Sequence, residues 1–203
     1  VDIDGWTSFN DVPMKVNLSV SSRDFSLSQL GRLFEGYKID TTKMRLSFNL
    51  QTEGDTEKGF HITSSLFLKG FRSFSLAKVK DIQLRTDGMF SLRDYSLTLR
   101  HGSLLMNGTS AATFRGKMAR LNKEPSYKGD IKLDRLNLSG FHFIKNAKLS
   151  GMLSSGNIRV TGNFGTKIPE VSGDLRLREG GIESADAIVQ KIDADIIFSS
   201  AKE

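Results

Sequence analysis

The 203-residue chain has no cysteine. That excludes disulfide bonds, thiolate nucleophiles and zinc–thiolate sites together. Only three prolines occur, and the nineteen glycines are scattered between short apolar stretches, so no flexible linker divides the chain. It reads as one unit over residues 1–203, with a sub-boundary candidate near residues 122–127. The longest apolar runs, such as Leu66-Phe67-Leu68 and Ile196-Ile197-Phe198, fall far short of the roughly 18 residues that a membrane-spanning helix needs. The chain opens on Val1 with neither an initiator methionine nor a signal peptide, so it reads as a fragment whose targeting segments lie outside it.

Reactive chemistry is equally sparse. His61, His101 and His142 are far apart and none stands at metal-ligand spacing. Asp193 and Asp195 share one face of a strand pattern, which fits solubility better than an acid–base pair. The stretch "GNFGTK" at 162–167 lacks phosphate-loop spacing and reads as a turn. No enzyme, metal or cofactor is expected. Asn17, Asn107 and Asn137 head Asn-x-Ser/Thr sequons, which matter only in a eukaryotic secreted protein. The formal net charge is +6, but the bases alternate with acids and apolar residues, as at Lys128, Asp130, Lys132, Asp134 and Arg135. This weakens a nucleic-acid reading, and no nucleic-acid partner is expected.

What the chain does have is alternation. With 38% hydrophobic and 26% charged residues it should fold around a sizeable apolar surface. Met44, Leu46, Phe48 and Leu50 fall at every second position, which in a pleated strand places them on one face. The rhythm returns at Ile82/Leu84, Tyr95/Leu97/Leu99, Ile131/Leu133, Leu136/Leu138, Ile158/Val160, Leu175/Leu177 and Ile192/Ala194/Ile196/Phe198. Between Leu133 and Leu136 the apolar phase switches, so a bulge or tight turn at Asp134 and Arg135 is needed to keep one facing.

One segment differs. In "SLSQLGRLF" the residues Leu27, Leu30, Leu33 and Phe34 have helical spacing, Ser26 and Gln29 fit a capping box, and Gly36 suits a helix stop. A short helix is expected there, with strand pattern resuming from Tyr37 to Leu50. The chain also repeats itself: "KGDIKLDRLNLSG" at 128–140 returns as "SGDLRLREGGIES" at 172–184. Each copy reads as turn then strand, with Gly129 and Gly173 placed for a turn or bulge and Asp130 and Asp174 bonding nearby backbone N–H groups.

The stretch "IRVTGNFGTKIPEVSGDLRLREGGIESADAIVQKIDADIIFS", residues 158–199, resembles the C-terminal repeat pattern of the AsmA-like family, the AsmA/TamB-type bacterial envelope proteins related to bridge-like lipid-transfer proteins. The likeness lies in order and spacing. An alternating strand ends at Gly162, a gap follows to Pro169, then come Val171-Ser172-Gly173-Asp174-Leu175-Arg176-Leu177, the pair Gly180-Gly181, and a late strand with Ile192, Ala194 and Ile196. "SLSQLGRLFEGYKIDTTKMRLSFNLQTEG" is similar to the family's short helix, glycine and long strand, and the two passages cover about a third of the chain.

The resemblance implies an all-β fold with one short helix, an elongated, twisted, largely antiparallel sheet curved into an open trough. It implies phospholipid transport or lipid binding along a hydrophobic β-groove in the periplasm, supporting outer-membrane lipid homeostasis. The inner membrane would hold the protein through an anchor outside this chain, and phospholipid acyl chains and neighbouring segments of the full-length chain are the expected partners. The groove candidates are Leu46, Phe48, Leu97, Leu99, Leu133, Val160, Leu175 and Phe198, each of which also suits an ordinary core. Lys132, Arg176 and Arg178 fall on the opposite strand face, as solvated surface first and as head-group contacts at a rim second. An extracellular or periplasmic structural or adhesin-type β protein without ligand is the alternative.

Overall fold

A computed structural model describes residues 1–30, 41–71, 79–140, 147–165, 168–184 and 187–200. These form a single antiparallel sheet that meanders in chain order: β1 (Asp2–Ser8), β2 (Lys15–Ser26), β3 (Arg45–Asp55), β4 (Gly59–Lys69), β5 (Ile82–Ser91), β6 (Ser96–Met106), β7 (Thr109–Ala119), β8 (Ser126–Leu133), β9 (Leu136–Asn137), β10 (Ala147–Asn163), β11 (Glu170–Ser184) and β12 (Ile188–Ser199). Each strand pairs with its sequence neighbours, except that β8 and the short β9 both pair with β10. The sheet is not closed, and its architecture is that of an open trough. Eleven strands side by side at about 4.8 Å make it on the order of 50 Å wide.

Alternating sequence dictates the two faces. Cross-strand partners point to the same side, so one register row can be followed from Phe48 through Leu66, Leu84 and Leu104 to Ala112, Leu133, Gly156, Leu175 and Ile196. The row one residue away carries Asn49, Ser65, Arg85 and Ser103 on β3–β6, then Thr113, Lys132, Asn157 and Asp174. One face is thus mostly apolar from β3 to β12, with Ser64 and Thr86 paired to each other on it at 2.7 Å, and the other mostly polar. A bulge keeps this facing intact on β6: Arg100 is the extra residue between the Gly88↔Leu99 and Asp87↔His101 pairs. Without it Leu104 and Met106 would turn to the side opposite Leu97 and Leu99.

The break between β8 and β9 does the same for the phase switch. Asp134 and Arg135 lie between the two strands, and Leu136 pairs with Leu153, which in turn pairs with Leu177 on the apolar face.

Little of this sheet is buried. The buried apolar cluster is Leu27, Met44, Phe71 and Val79, packed on Leu46, Leu68, Ile82 and Met106 at one end of the apolar face. It is built by the chain segments that link β2 to β3 and β4 to β5. Leu27 opens a 3-10 turn, Leu27–Leu30, the part of the expected short helix that falls among the described residues. Leu33, Phe34 and Gly36 lie outside the described residues, as does the start of the expected strand at Tyr37. The strand itself begins at Arg45, because Met44 N–H donates to Thr41 O (3.1 Å) across a turn and sends the Met44 side chain into the cluster.

Three local expectations are corrected. Gly129 and Gly173 lie inside β8 and β11, not at turns. Their strands flank β10 on either side: Gly129 pairs with Val160 and Gly173 with Ile158, so the two repeat copies run parallel to one another with β10 between them. A Cβ on Gly173 would meet the Phe198 ring at 3.0 Å and the Asn157 carbonyl more closely still, so close approach is what requires glycine there. Tyr95 precedes β6 and is exposed with φ of 48° in the turn, and Leu138 belongs to a 3-10 turn, Leu138–Gly140, that follows β9. Residues 122–127 hold the end of the turn between β7 and β8 and the start of β8, and the two strands pair from Ala119↔Ser126 onward.

Candidate functional site

All eight groove candidates stand on the apolar face. Leu46 and Phe48 come from β3, Leu97 and Leu99 from β6, Leu133 from β8, Val160 from β10, Leu175 from β11 and Phe198 from β12. Register ties them together: Leu99, Gly116, Gly129 and Val160 form one row, while Phe198, Gly173, Ile158 and Ile131 form another two residues away along β10. Each of the eight is half-buried. Among the described residues no second layer of strands covers them, since every strand belongs to the one sheet.

Exposure rises toward the two edges. Ile3 on β1 and Ile196 on β12 continue the apolar face and are 71% and 45% exposed. Among the described residues, β1 and β12 pair on their inner sides only. At the clustered end Val79, Met106, Ala111, Leu136 and Met152, with polar residues such as Asn107, Arg135 and Asn137, line a depression of about 410 Å³. Sequence reasoning named none of these as groove residues. Leu136 carried the alternation signal, whereas the place of Val79 depends on how the link between β4 and β5 folds back.

The polar face is organised by charge. Asp130 accepts from Arg159 Nε at 3.1 Å and from Arg115 Nε at 3.3 Å, so the expectation that it bonds backbone N–H groups is corrected to a cross-strand triad. The Arg159 hydrogen bond, with Arg115 adding to it, holds the Asp130 carboxyl below the usual carboxylate value. Asp174 likewise bonds across the strands, accepting from Asn157 Nδ2 at 3.1 and 3.2 Å. Asp195 accepts from Arg176 Nε (3.1 Å) and Arg178 Nη2 (3.3 Å), and Asp193 accepts from the Glu179 backbone N–H at 2.8 Å. Both aspartates therefore hold β11 and β12 together. Lys132 is exposed on this face, as its strand position requires.

His61 and Asp87 meet at 2.6 Å on neighbouring strands β4 and β5. Sequence spacing gave no sign of this pair, which register alone creates. His101 lies on the polar face of β6, and His142 falls outside the described residues. Asp94 accepts from Ser96 Oγ at 2.9 Å, and its carboxyl is held low by hydrogen bonds from Ser91 and Ser96. Among the described residues no three His, Asp or Glu side chains are grouped as metal ligands, and no helix is long and apolar enough to cross a membrane.

Comparison with protein-family models, curated proteins and solved structures finds no match to this chain.

Proposed function

We propose that the chain binds phospholipid acyl chains along the apolar face of its open sheet and belongs to a protein that moves lipid through a bacterial envelope. The observation that carries this reading is the unbroken apolar row from Phe48 on β3 to Ile196 on β12, on a single-layer sheet with no covering layer among the described residues. Hydrocarbon left facing water is costly. Sheltering roughly ten methylenes of an acyl chain is worth about 8 kcal/mol at ~0.8 kcal/mol each, whereas one base near an anionic head group contributes about 1 kcal/mol. The apolar lining, with Leu46, Phe48, Leu97, Leu99, Leu133, Val160, Leu175 and Phe198 as its candidates, therefore dominates retention.

The open edges support the second part of the reading. A sheet edge offers unpaired N–H and C=O groups that need a partner, and Ile3 and Ile196 carry the apolar face out to those edges still exposed. Neighbouring segments of a longer chain are the proposed cover, and a membrane anchor would belong to them. The resemblance of residues 158–199 to AsmA-like repeats points the same way, to the periplasm.

A ligand-free structural β protein is the second reading, and one contact favours it: Leu133 and Leu175 fill part of the apolar face themselves by closing over Gly156. Native mass spectrometry of the gently extracted chain separates the two. Co-purifying phospholipid supports the trough, and a clean apo mass across detergents supports the scaffold.

A further inference from the structure

A depression of about 780 Å³ crosses the strands on the polar face. Its floor is one register row, Phe114, Ile131, Ile158 and Gly173, whose side chains, where present, belong to the apolar side. Its two walls are the rows on either side: Thr113, Lys132, Asn157 and Asp174 on one, Arg115, Asp130, Arg159 and Ser172 on the other. Arg100, thrown out by the β6 bulge, and His101 stand at one end. Rows two residues apart along a strand make a slot about 6.7 Å wide, and five strands from β6 to β11 make it about 19 Å long. A parallel slot of about 600 Å³ lies beside it, walled by Lys117, Lys128, Thr161 and Glu170.

Charge is concentrated here. The two slots are lined by six bases, Arg100, Arg115, Lys117, Lys128, Lys132 and Arg159, against three acids, Asp130, Asp174 and Glu170. Lys117 stands directly opposite Lys128, an unfavourable pairing of like charges, and the Lys117 ammonium lies 3.7 Å from the Asp94 carboxylate. Among the described residues Arg100, Lys128 and Lys132 enter no ion pair. Meanwhile Asp130 takes only the Nε groups of Arg115 and Arg159, at 3.3 and 3.1 Å. It fixes both guanidinium planes while leaving their Nη edges to bind oxyanions.

We infer that this cross-strand groove binds an acidic glycan, a linear polymer bearing carboxylate or sulfate groups. A slot suits a chain better than a bilayer, because a flat lipid surface does not enter it. Hydroxyl and amide groups of Thr113, Asn157 and Ser172 between the bases suit a ligand rich in hydroxyls. Single-stranded nucleic acid would call for aromatic faces on which bases stack. The one phenylalanine on the groove floor, Phe114, points to the other side, and the Tyr127 ring of the second slot packs edge-on against Phe164 at 5.4 Å.

The test is fluorescence anisotropy of the intact chain with a labelled oligogalacturonate, beside a neutral maltooligosaccharide, a single-stranded oligonucleotide and vesicles containing anionic phospholipid. The inference expects the acidic glycan to bind, to weaken steeply with added salt, and to lose about tenfold in affinity when Arg115→Gln and Arg159→Gln are combined. Lys128→Ser should also weaken binding without lowering the melting temperature, because Lys128 enters no ion pair among the described residues, so that loss cannot be a folding defect. Lys191→Gln on β12, away from the groove, should change nothing. Equal binding of the neutral sugar, tighter binding of oligonucleotide or vesicle at the same ionic strength, or unchanged affinity in the groove variants overturns it. None of these outcomes bears on the apolar face, so this inference and the lipid reading can fail separately.

Discussion

Leu133 on β8 and Leu175 on β11 both reach over Gly156 of β10, so that a Cβ added there would stand 3.4 Å from Leu133 Cδ1 and 2.6 Å from Leu175 Cδ2. The absence of a side chain on the middle strand is what lets two groove candidates lean over it. A valine at this position gains strand propensity worth about 0.5–1 kcal/mol over glycine but overpacks a filled site at about 1–3 kcal/mol. Gly156→Val should therefore lower stability by roughly 1–2 kcal/mol, read as a lower urea midpoint with an unchanged slope. A midpoint at or above that of the parent would mean that the two leucines do not close over the glycine.

Met44 is the largest fully buried side chain among the described residues, 2% exposed at the centre of the end cluster. Met44→Ala removes the packing that joins Leu27, Phe71 and Val79. The expected loss is about 2–4 kcal/mol, measured by urea unfolding, and far exceeds that for an alanine at half-buried Leu99. Comparable losses at the two positions would contradict a core confined to one end of the sheet.

Asn107 and Gly108 form the two-residue link between β6 and β7, both with positive φ (50° and 78°). Asn107 Oδ1 also accepts from the backbone N–H groups of Lys80 (2.8 Å) and Asp81 (3.1 Å), pinning the end of the β4–β5 link to this turn. Asn107→Ala loses both the favourable backbone and the hydrogen bonds, whereas Asn107→Gly loses the hydrogen bonds alone. The alanine variant should cost about 1–2 kcal/mol and the glycine variant less, by thermal melting. Equal losses would assign the whole effect to the hydrogen bonds.

Asp130 titrates below the ordinary carboxylate value because Arg159, and then Arg115, bond its charged form. A carboxyl depressed in the folded state adds stability above its unfolded pKa and loses it as pH falls through the folded one. Parent and Arg159→Gln should therefore differ in melting temperature near neutral pH and converge as acid takes the medium below the usual carboxylate range. A gap that persists at the acid end would show that Arg159 stabilises by something other than its bond to Asp130.

The faces of this sheet were legible in the sequence because a two-residue period survives any loop length. Leu46/Phe48, Leu133 and Leu175 all landed on one side, and the switch after Leu133 marked a real break at Asp134 and Arg135. Register was not legible. No local signal says that Arg115, Asp130 and Arg159 form one row or that His61 meets Asp87, since each partnership depends on how many residues the turns and bulges consume. Gly129 and Gly173 misled for a related reason: glycine marks both turns and close approaches within strands, and only the neighbouring Phe198 ring and Asn157 carbonyl show which applies at Gly173.

The lipid reading turns on which side of the sheet meets hydrocarbon, and adjacent residues on one strand resolve it. A photo-reactive phenylalanine analogue placed at Leu99, on the apolar face of β6, should form phospholipid adducts on irradiation in cells, detected by mass spectrometry, while the same group at Thr98 on the polar face should not. Adducts at neither position, or equally at both, would contradict an acyl-chain path along the apolar face.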